Sequence, residues 1–310
     1  MKVLIVGGTR YLGLAIVREL LDRKHEVTLF HRGITTAHLP KEVKRIHGDV
    51  RDRISFEAHL SEHNYDAVID TILQTGDLEW MLPIMQNTCG QLIHCGSTGV
   101  YAPAVRIPSR EDDPTPCLPE FGYFGPKLAQ DRMLMDYFDT TGYRLTSLRI
   151  SNVIGPGDIP LDIWGARNPM FFQRLADDRP IMVPDDGRAL VQPAHVEDLA
   201  RGFRQVLEAD NRVAGHIYNL SSDRAVTLME YARMAAEILG SKSQFQCAPM
   251  DAILATGKLD EPGLRFICEH MCIDITKARR DFAYTPEIDI DQALRESLDW
   301  MVRAGHLKIA

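Results

Sequence analysis

A doubly wound, parallel α/β sheet followed by a smaller C-terminal lobe is the architecture that this 310-residue sequence predicts. Three observations predict it. A short apolar run, Lys2 to Val6, leads into Gly7-Gly8-Thr9-Arg10-Tyr11-Leu12-Gly13 and then into the helically periodic stretch Leu14 to Leu21. Strand-like and helix-like segments then alternate as far as Ile150. Past Gly157 that rhythm gives way to the proline-containing segment Pro160 to Arg188. Alternation of this kind calls for parallel strands joined by crossover helices, with ligands beyond the carboxyl ends of the strands. The expected division is a nucleotide-binding domain over 1–155 and a substrate-binding lobe over 156–310, with segments around 190–220 returning to the first domain.

The elements follow in order. Strand, glycine turn and helix at Lys2 to Leu21 give the context of a dinucleotide fingerprint, in which glycines let the backbone approach a pyrophosphate. The helix N-terminus then offers free N–H groups to the anion. A plain tight turn is the alternative. Glu26 to His31 is the second strand, and it ends in His31-Arg32 where a carboxylate would select the ribose hydroxyl of NAD. A guanidinium there suits a 2′-phosphate, and Arg10 can reach the same group, so NADP is favoured slightly over NAD. Val43 to His47, Asp66 to Thr71 and Gln91 to Cys95 are further strands, with helices at about Arg53 to His63 and Trp80 to Thr88. Ser97 falls beyond the end of the fifth strand, on the ligand side. Pro103 to Pro119 has loop composition, and Tyr143 to Ile150 is the sixth strand. Later helices are expected at His195 to Glu208, Thr227 to Leu239 and Asp291 to Ala304, with a strand at His216 to Leu220.

Bulk properties exclude several classes of function. With 45% hydrophobic and 25% charged residues the chain has ordinary globular composition. A net charge of −8 leaves no basic footprint for nucleic acid. No run approaches a membrane span, and Val3 to Val6 is too short for a signal-peptide core. The six cysteines form no Cys-x-x-Cys pair, which fits reduced thiols and a cytoplasmic location. Cys268-Glu-His-Met-Cys272 matches no zinc spacing, so no metal is expected.

Tyr123 and Lys127 stand four apart, one turn on a helix. An ammonium near a phenol favours the phenolate, which allows proton exchange with a substrate hydroxyl near neutral pH. Pro126 is tolerated only in a first turn, so Tyr123 belongs near the helix start.

Together with His47-Gly48-Asp49, Ser97-Thr98-Gly99-Val100-Tyr101, Leu148 to Gly157, His195-Val196-Glu197-Asp198 and Tyr218-Asn219-Leu220, these residues resemble the extended short-chain dehydrogenase/reductase family, NAD(P)-dependent epimerase/dehydratase group. The resemblance covers nearly the whole chain and implies a Rossmann-type domain. It implies Tyr123 as the acid/base, Lys127 as the lysine that bonds the nicotinamide ribose, and Ser97 as the hydroxyl that meets the reacting oxygen. Asp49 and Val50 resemble the adenine contact, Thr71 and Ile72 the loop beside the cofactor, and Ser151 and Val153 the strand end near the nicotinamide. Thr98, Asn152 and Arg188 are candidate substrate contacts, whereas His195 reads as structural. A homodimer through the Tyr123 helix is the family expectation, with Leu128, Met133, Leu134, Met135 and Phe138 as apolar surface, although a buried core helix would show the same pattern.

Three departures bear on function. Arg10 replaces the middle glycine, which is closest to a branch with Gly-Gly-Thr-Arg-aromatic-aliphatic-Gly that includes chloroplast stem-loop RNA-binding proteins. Thr98-Gly99 stands where 4,6-dehydratases place an Asp-Glu pair, so elimination lacks its groups. Val191 occupies the place of the usual diphosphate-binding Arg, which argues against a diphosphosugar. The expected activity is NAD(P)-dependent oxidoreduction or epimerisation at a hydroxyl or carbonyl of a sugar-like or nucleotide-sugar substrate, by hydride transfer assisted by Tyr123 and Lys127. The alternative is a non-catalytic nucleotide-binding or RNA-associated protein of the same fold.

Overall fold

The structure, a computed structural model, describes residues 1–35, 39–256 and 259–309. Its centre is a sheet of seven parallel strands: β1 (Lys2–Val6), β2 (Glu26–His31), β3 (Lys44–His47), β4 (Ala67–Asp70), β5 (Leu92–Ser97), β6 (Leu145–Ile150) and a last strand, His216–Leu220. They lie in the order β3-β2-β1-β4-β5-β6 followed by His216–Leu220. Val3 to Val6 are fully buried because a parallel strand is covered on both faces. The order reverses between β1 and β4, which opens a crevice at their carboxyl ends.

Helix α1 (Tyr11–Asp22) buries Leu12, Gly13, Ile16, Val17 and Leu20 along one stripe. It packs on one face of the sheet beside helix Val196–Glu208, whose Leu199, Phe203 and Val206 share that core. The opposite face carries α2 (Arg53–Glu62), α3 (Thr75–Thr88) and α4 (Phe124–Thr141), whose Phe56, Leu78, Met81 and Leu134 close a second core. Asp52 caps α2 through the N–H of Ser55, and Gly142 ends α4 in the left-handed conformation at φ 68°. A third core, including Phe171, Phe172, Leu175, Tyr231, Leu294 and Leu298, lies under the C-terminal half.

Some boundaries differ from expectation. The third helix starts at Thr75 rather than Trp80, because Gln74 and Asp77 form a reciprocal capping box that composition alone hides. Within Pro160 to Arg188 there is a single helix, Met170–Ala176, and a short strand, Ile181–Pro184. Leu128 and Leu134, which the sequence allows as either surface or core on α4, are buried in this chain's own cores, while Met133, Met135 and Phe138 are partly covered. Among the described residues no helix is long and apolar enough to cross a membrane.

Candidate active site

A cleft of about 1380 Å³ runs over the carboxyl ends of the central strands and reaches the C-terminal lobe. Every cofactor and substrate candidate named above lines it except Arg188. The glycine turn forms its floor. Gly7 and Gly8 have φ of 109° and 78°, and a Cβ on Gly7 would meet Thr71 Oγ1 at 2.2 Å. A Cβ on Gly13 would lie 2.5 Å from the Cα of Gly8, so α1 sits directly against the turn. No side chain caps α1, so its first N–H groups remain available to an anion. This turn, the open N-terminus and the cleft's size fit a dinucleotide.

His31, Arg32, Asp49 and Val50 line the end of the cleft beyond β2 and β3. The His31 and His47 rings stand 4.8 Å apart, and the N–H of Gly33 donates to His31 Nδ1 at 3.1 Å. Burial, then the neighbouring His47 and Arg45, lower the His31 pKa, so its ring is neutral at pH 7. Arg32 is exposed at this rim.

The chemical end is built by β5, β6 and the start of α4. Ser97 ends β5, and its Oγ accepts the N–H of Gly99 at 3.2 Å, which leaves the hydroxyl proton free for a ligand. Thr98 is tied down, since its hydroxyl donates to the Ile150 carbonyl at 3.3 Å. Ser151, Asn152 and Val153 follow β6 along the cleft, with Ser151 Oγ accepting from Ser221 Oγ at 2.9 Å. Tyr123 is the residue before α4 and is 75% exposed, with its ring edge-on to Phe124 at 5.1 Å. It therefore precedes the helix rather than lying within it, although its backbone already has helical angles. Lys127 is half-buried, and its Nζ donates to the Cys95 carbonyl at 2.9 Å. Two of its three N–H bonds remain for a phenol or a ribose.

Beneath these groups a buried network fixes the frame. Arg149 Nε donates to Asp131 Oδ2 at 2.7 Å, and Ser147 Oγ donates to Asp131 Oδ1 at 2.5 Å. Arg149 Nη1 also donates to the Tyr101 hydroxyl at 2.7 Å, which in turn donates to Asn219 Oδ1 at 2.8 Å. Asp131 lies one turn beyond Lys127 on α4, and Tyr101 lies one short turn beyond Ser97. The network thus locks the segments that carry both side chains.

One correction follows. Arg188 lies away from the cleft, exposed in the turn after Ile181–Pro184 and paired with Asp186 at 3.6 Å. That turn follows Ile181–Pro184, which pairs with strand Phe245–Ala248. Among the described residues, the lobe's cation in the cleft is instead Arg167, anchored to the carbonyls of Ile159 and Val153 at 2.9 and 3.3 Å. Residues that sequence reasoning missed also include Phe121, Phe124 and Phe266, with Phe124 and Phe266 ring centroids 4.6 Å apart. No sequence pattern could have joined Phe266 to Phe124, because only the folded lobe brings them together.

Residues 3–221 match the model of the NAD dependent epimerase/dehydratase family. The chain is 30% identical over 312 residues to the chloroplast stem-loop binding protein of 41 kDa b of Arabidopsis thaliana, covering 96% of this chain and 78% of that one. It is 26% identical over 323 residues to a UDP-glucose 4-epimerase of Corynebacterium glutamicum, covering 93% and 91%. In fold it is similar to a UDP-glucuronic acid 4-epimerase of Bacillus cereus at TM-score 0.78 and 18% identity, covering 98% of this chain and 100% of that one. The chain is a member of the NAD dependent epimerase/dehydratase family, an enzyme of the extended short-chain dehydrogenase/reductase type.

Proposed function

We propose that this enzyme epimerises or oxidises a hydroxyl of a nucleotide sugar, using Tyr123 as acid/base with Lys127 and Ser97. The observation that carries the reading is that one cleft, opening from a dinucleotide-fitting glycine turn, is lined by all three side chains. A bound nicotinamide supplies the hydride acceptor and donor. Tyr123 takes the hydroxyl proton of the substrate, Ser97 donates a hydrogen bond to the same oxygen, and Lys127 stabilises the phenolate by its charge. These hydrogen bonds to the substrate oxygen tighten in the complex, as catalytic hydrogen bonds commonly do.

Redox or epimerisation is favoured over elimination. Gly99 has no room for a carboxylate, since a Cβ there would meet the Phe124 ring at 2.2 Å, and the Thr98 hydroxyl is already engaged. Arg167 offers a cation for the substrate phosphates where Val191, buried in the lobe core, cannot. NADP is the preferred cofactor, through Arg32 at the ribose rim.

The test is turnover of UDP-glucose, UDP-glucuronic acid and dTDP-glucose by wild type and Tyr123→Phe. The variant should lose about 10²- to 10⁴-fold in kcat while cofactor affinity stays within about twofold. Equal activity in the variant would sink the reading. The Arabidopsis relative supports a second reading, binding of structured RNA. A stem-loop RNA that shifts in a gel at physiological salt, together with absent turnover, would favour it; the net charge of −8 argues the other way.

A further inference from the structure

Three aromatic rings stand between the C-terminal lobe and the segment that carries Tyr123. The Phe124 ring lies 4.6 Å from that of Phe266, centroid to centroid, with the planes tilted by 34°. Phe121, at the end of the short 3₁₀ helix Pro119–Phe121, meets the same Phe266 ring edge-on at 5.8 Å. Phe124 also adjoins both halves of the chemical end. The Tyr123 ring stands edge-on to it at 5.1 Å. A Cβ on Gly99 would lie 2.2 Å from the Phe124 ring, so the ring fills the space that the missing side chain leaves. Gly99 in turn donates its N–H to Ser97 Oγ at 3.2 Å. One phenyl ring thus sits between the acid/base tyrosine, the residue that orients the Ser97 hydroxyl, and the lobe.

Phe266 has firm footing. Its helix, Glu261–Ile267, buries Leu264 and Ile267 in the lobe core, and Asp260 caps that helix through the N–H of Gly263 at 3.0 Å. The start of the helix lies directly on the turn that brings Arg167 to the cleft. A Cβ on Gly165 would meet the Gly263 carbonyl oxygen at 1.9 Å, and Gly165 has a φ of 76°. Tyr123 has the opposite character, since it precedes α4 and is 75% exposed. An exposed side chain keeps its rotamer freedom unless a neighbour restricts it. Proton transfer needs the phenol within hydrogen-bond reach of one substrate oxygen, and a displacement of about 1 Å can cost about 10²-fold in rate.

We propose that Phe266 is a positioning residue for the proton transfer: stacked on Phe124, it lets the lobe hold Tyr123 and the Gly99 turn in register with each other. Without the Phe266 ring, Phe124 is free to leave the face of Gly99, and the Tyr123 ring loses the surface it rests on. Aromatic contacts suit the task because their geometry is directional, whereas an aliphatic side chain would fill the space without fixing the tilt of the ring. The proposal rests on the assignment of Tyr123 above, and it adds a residue from the other half of the chain that acts through Phe124.

The test reads Tyr123 directly in the substrate-free protein, by fluorine NMR of chains carrying 3-fluorotyrosine. The Tyr123 resonance is identified by its loss in Tyr123→Phe, and that of Tyr231 in the same way. Phe266→Leu keeps apolar bulk and removes the ring. It should move the Tyr123 resonance at least half of the way to its position in urea-unfolded protein, while that of Tyr231, buried in the lobe core, stays in place. Phe124→Leu should move the Tyr123 resonance in the same direction, and the double variant no further than Phe124→Leu alone. An unmoved Tyr123 resonance in Phe266→Leu overturns the proposal. So does an equal displacement of Tyr231, which reports a loosened lobe, or a double variant that moves further, which reports an effect not passed through Phe124. With UDP-glucose, UDP-glucuronic acid and dTDP-glucose as probes, kcat of Phe266→Leu should fall about tenfold with KM within about twofold. A rise in KM alone would make Phe266 a substrate contact and overturn the positioning role. Phe266→Met carries the same predictions should Phe266→Leu not fold; failure of both to fold would make the ring a core residue and overturn the proposal. The resonance needs no turnover, so an active Tyr123→Phe would remove the catalytic reading while the NMR result still decides whether Phe266 holds Tyr123.

Discussion

Asp162 offers a quantitative check on the lobe that closes the cleft. It is buried in the turn that carries Gly165 and Arg167 to the site. Its Oδ1 accepts the N–H groups of Trp164 at 2.7 Å and Ala166 at 3.1 Å, while Oδ2 is buried with no partner. Burial pushes its carboxyl up to about 7, against the two backbone hydrogen bonds that lower it. A carboxyl raised in the folded state binds its proton more tightly there than in the unfolded chain. Its stabilising contribution is therefore complete below the unfolded value near 4 and is lost as pH rises toward 7. Between pH 5 and pH 7 that loss is two units at about 1.4 kcal/mol each, or about 3 kcal/mol. Asp162→Asn keeps the Oδ1 acceptor and removes the titration, at a cost that does not vary with pH. Urea unfolding of both proteins at pH 5 and pH 8 isolates the effect, because other titrating groups cancel in the difference. The variant should gain about 3 kcal/mol on wild type between the two pH values. Stability curves with equal pH slopes would refute the reasoning.

Three further outcomes test the site and its frame. Arg32→Ala should weaken NADP by about tenfold or more and NAD by less than about twofold in equilibrium titration, since only NADP carries a 2′-phosphate for the guanidinium; equal effects would remove the case for NADP. Gly13→Ala places a methyl against the Gly8 backbone, which cannot yield as a side chain would. Cofactor titration should show at least about tenfold weaker binding, with a stability loss of about 1–3 kcal/mol. Arg149→Met strands the Asp131 carboxylate in the interior and should cost about 3–5 kcal/mol in urea unfolding. Adding Asp131→Leu should recover much of that loss, and a double variant no better than the single one would contradict the buried-charge account.

The framework was legible because local chemistry and global fold agree. Val3 to Val6 need cover on both faces, Gly7 and Gly13 need close backbone approach, and Pro126 confines the start of α4. Each of these is a short-range constraint written in consecutive residues. The same holds for placing Ser97 at a strand end. Where reasoning from sequence fell short, the missing information was long-range. Arg188 and Arg167 look alike in sequence, but the first lies exposed in the turn after Ile181–Pro184, paired with Asp186, and carbonyls of Val153 and Ile159 anchor the second in the cleft. Likewise Leu128 and Leu134 read equally well as surface or core until the sheet beneath α4 is in place.

By itself, then, the sequence determined the parallel α/β plan, the glycine turn and the Tyr123, Lys127 and Ser97 candidates, because periodicity, turn chemistry and helix-start rules act within a few residues. Only the tertiary structure decided that Asp70 pairs with His94 in the core, that Phe266 meets Phe124, and that, among the described residues, Arg167 is the lobe's cation in the cleft. Those pairings span tens to more than a hundred residues, and strand register and lobe packing set them rather than any local propensity.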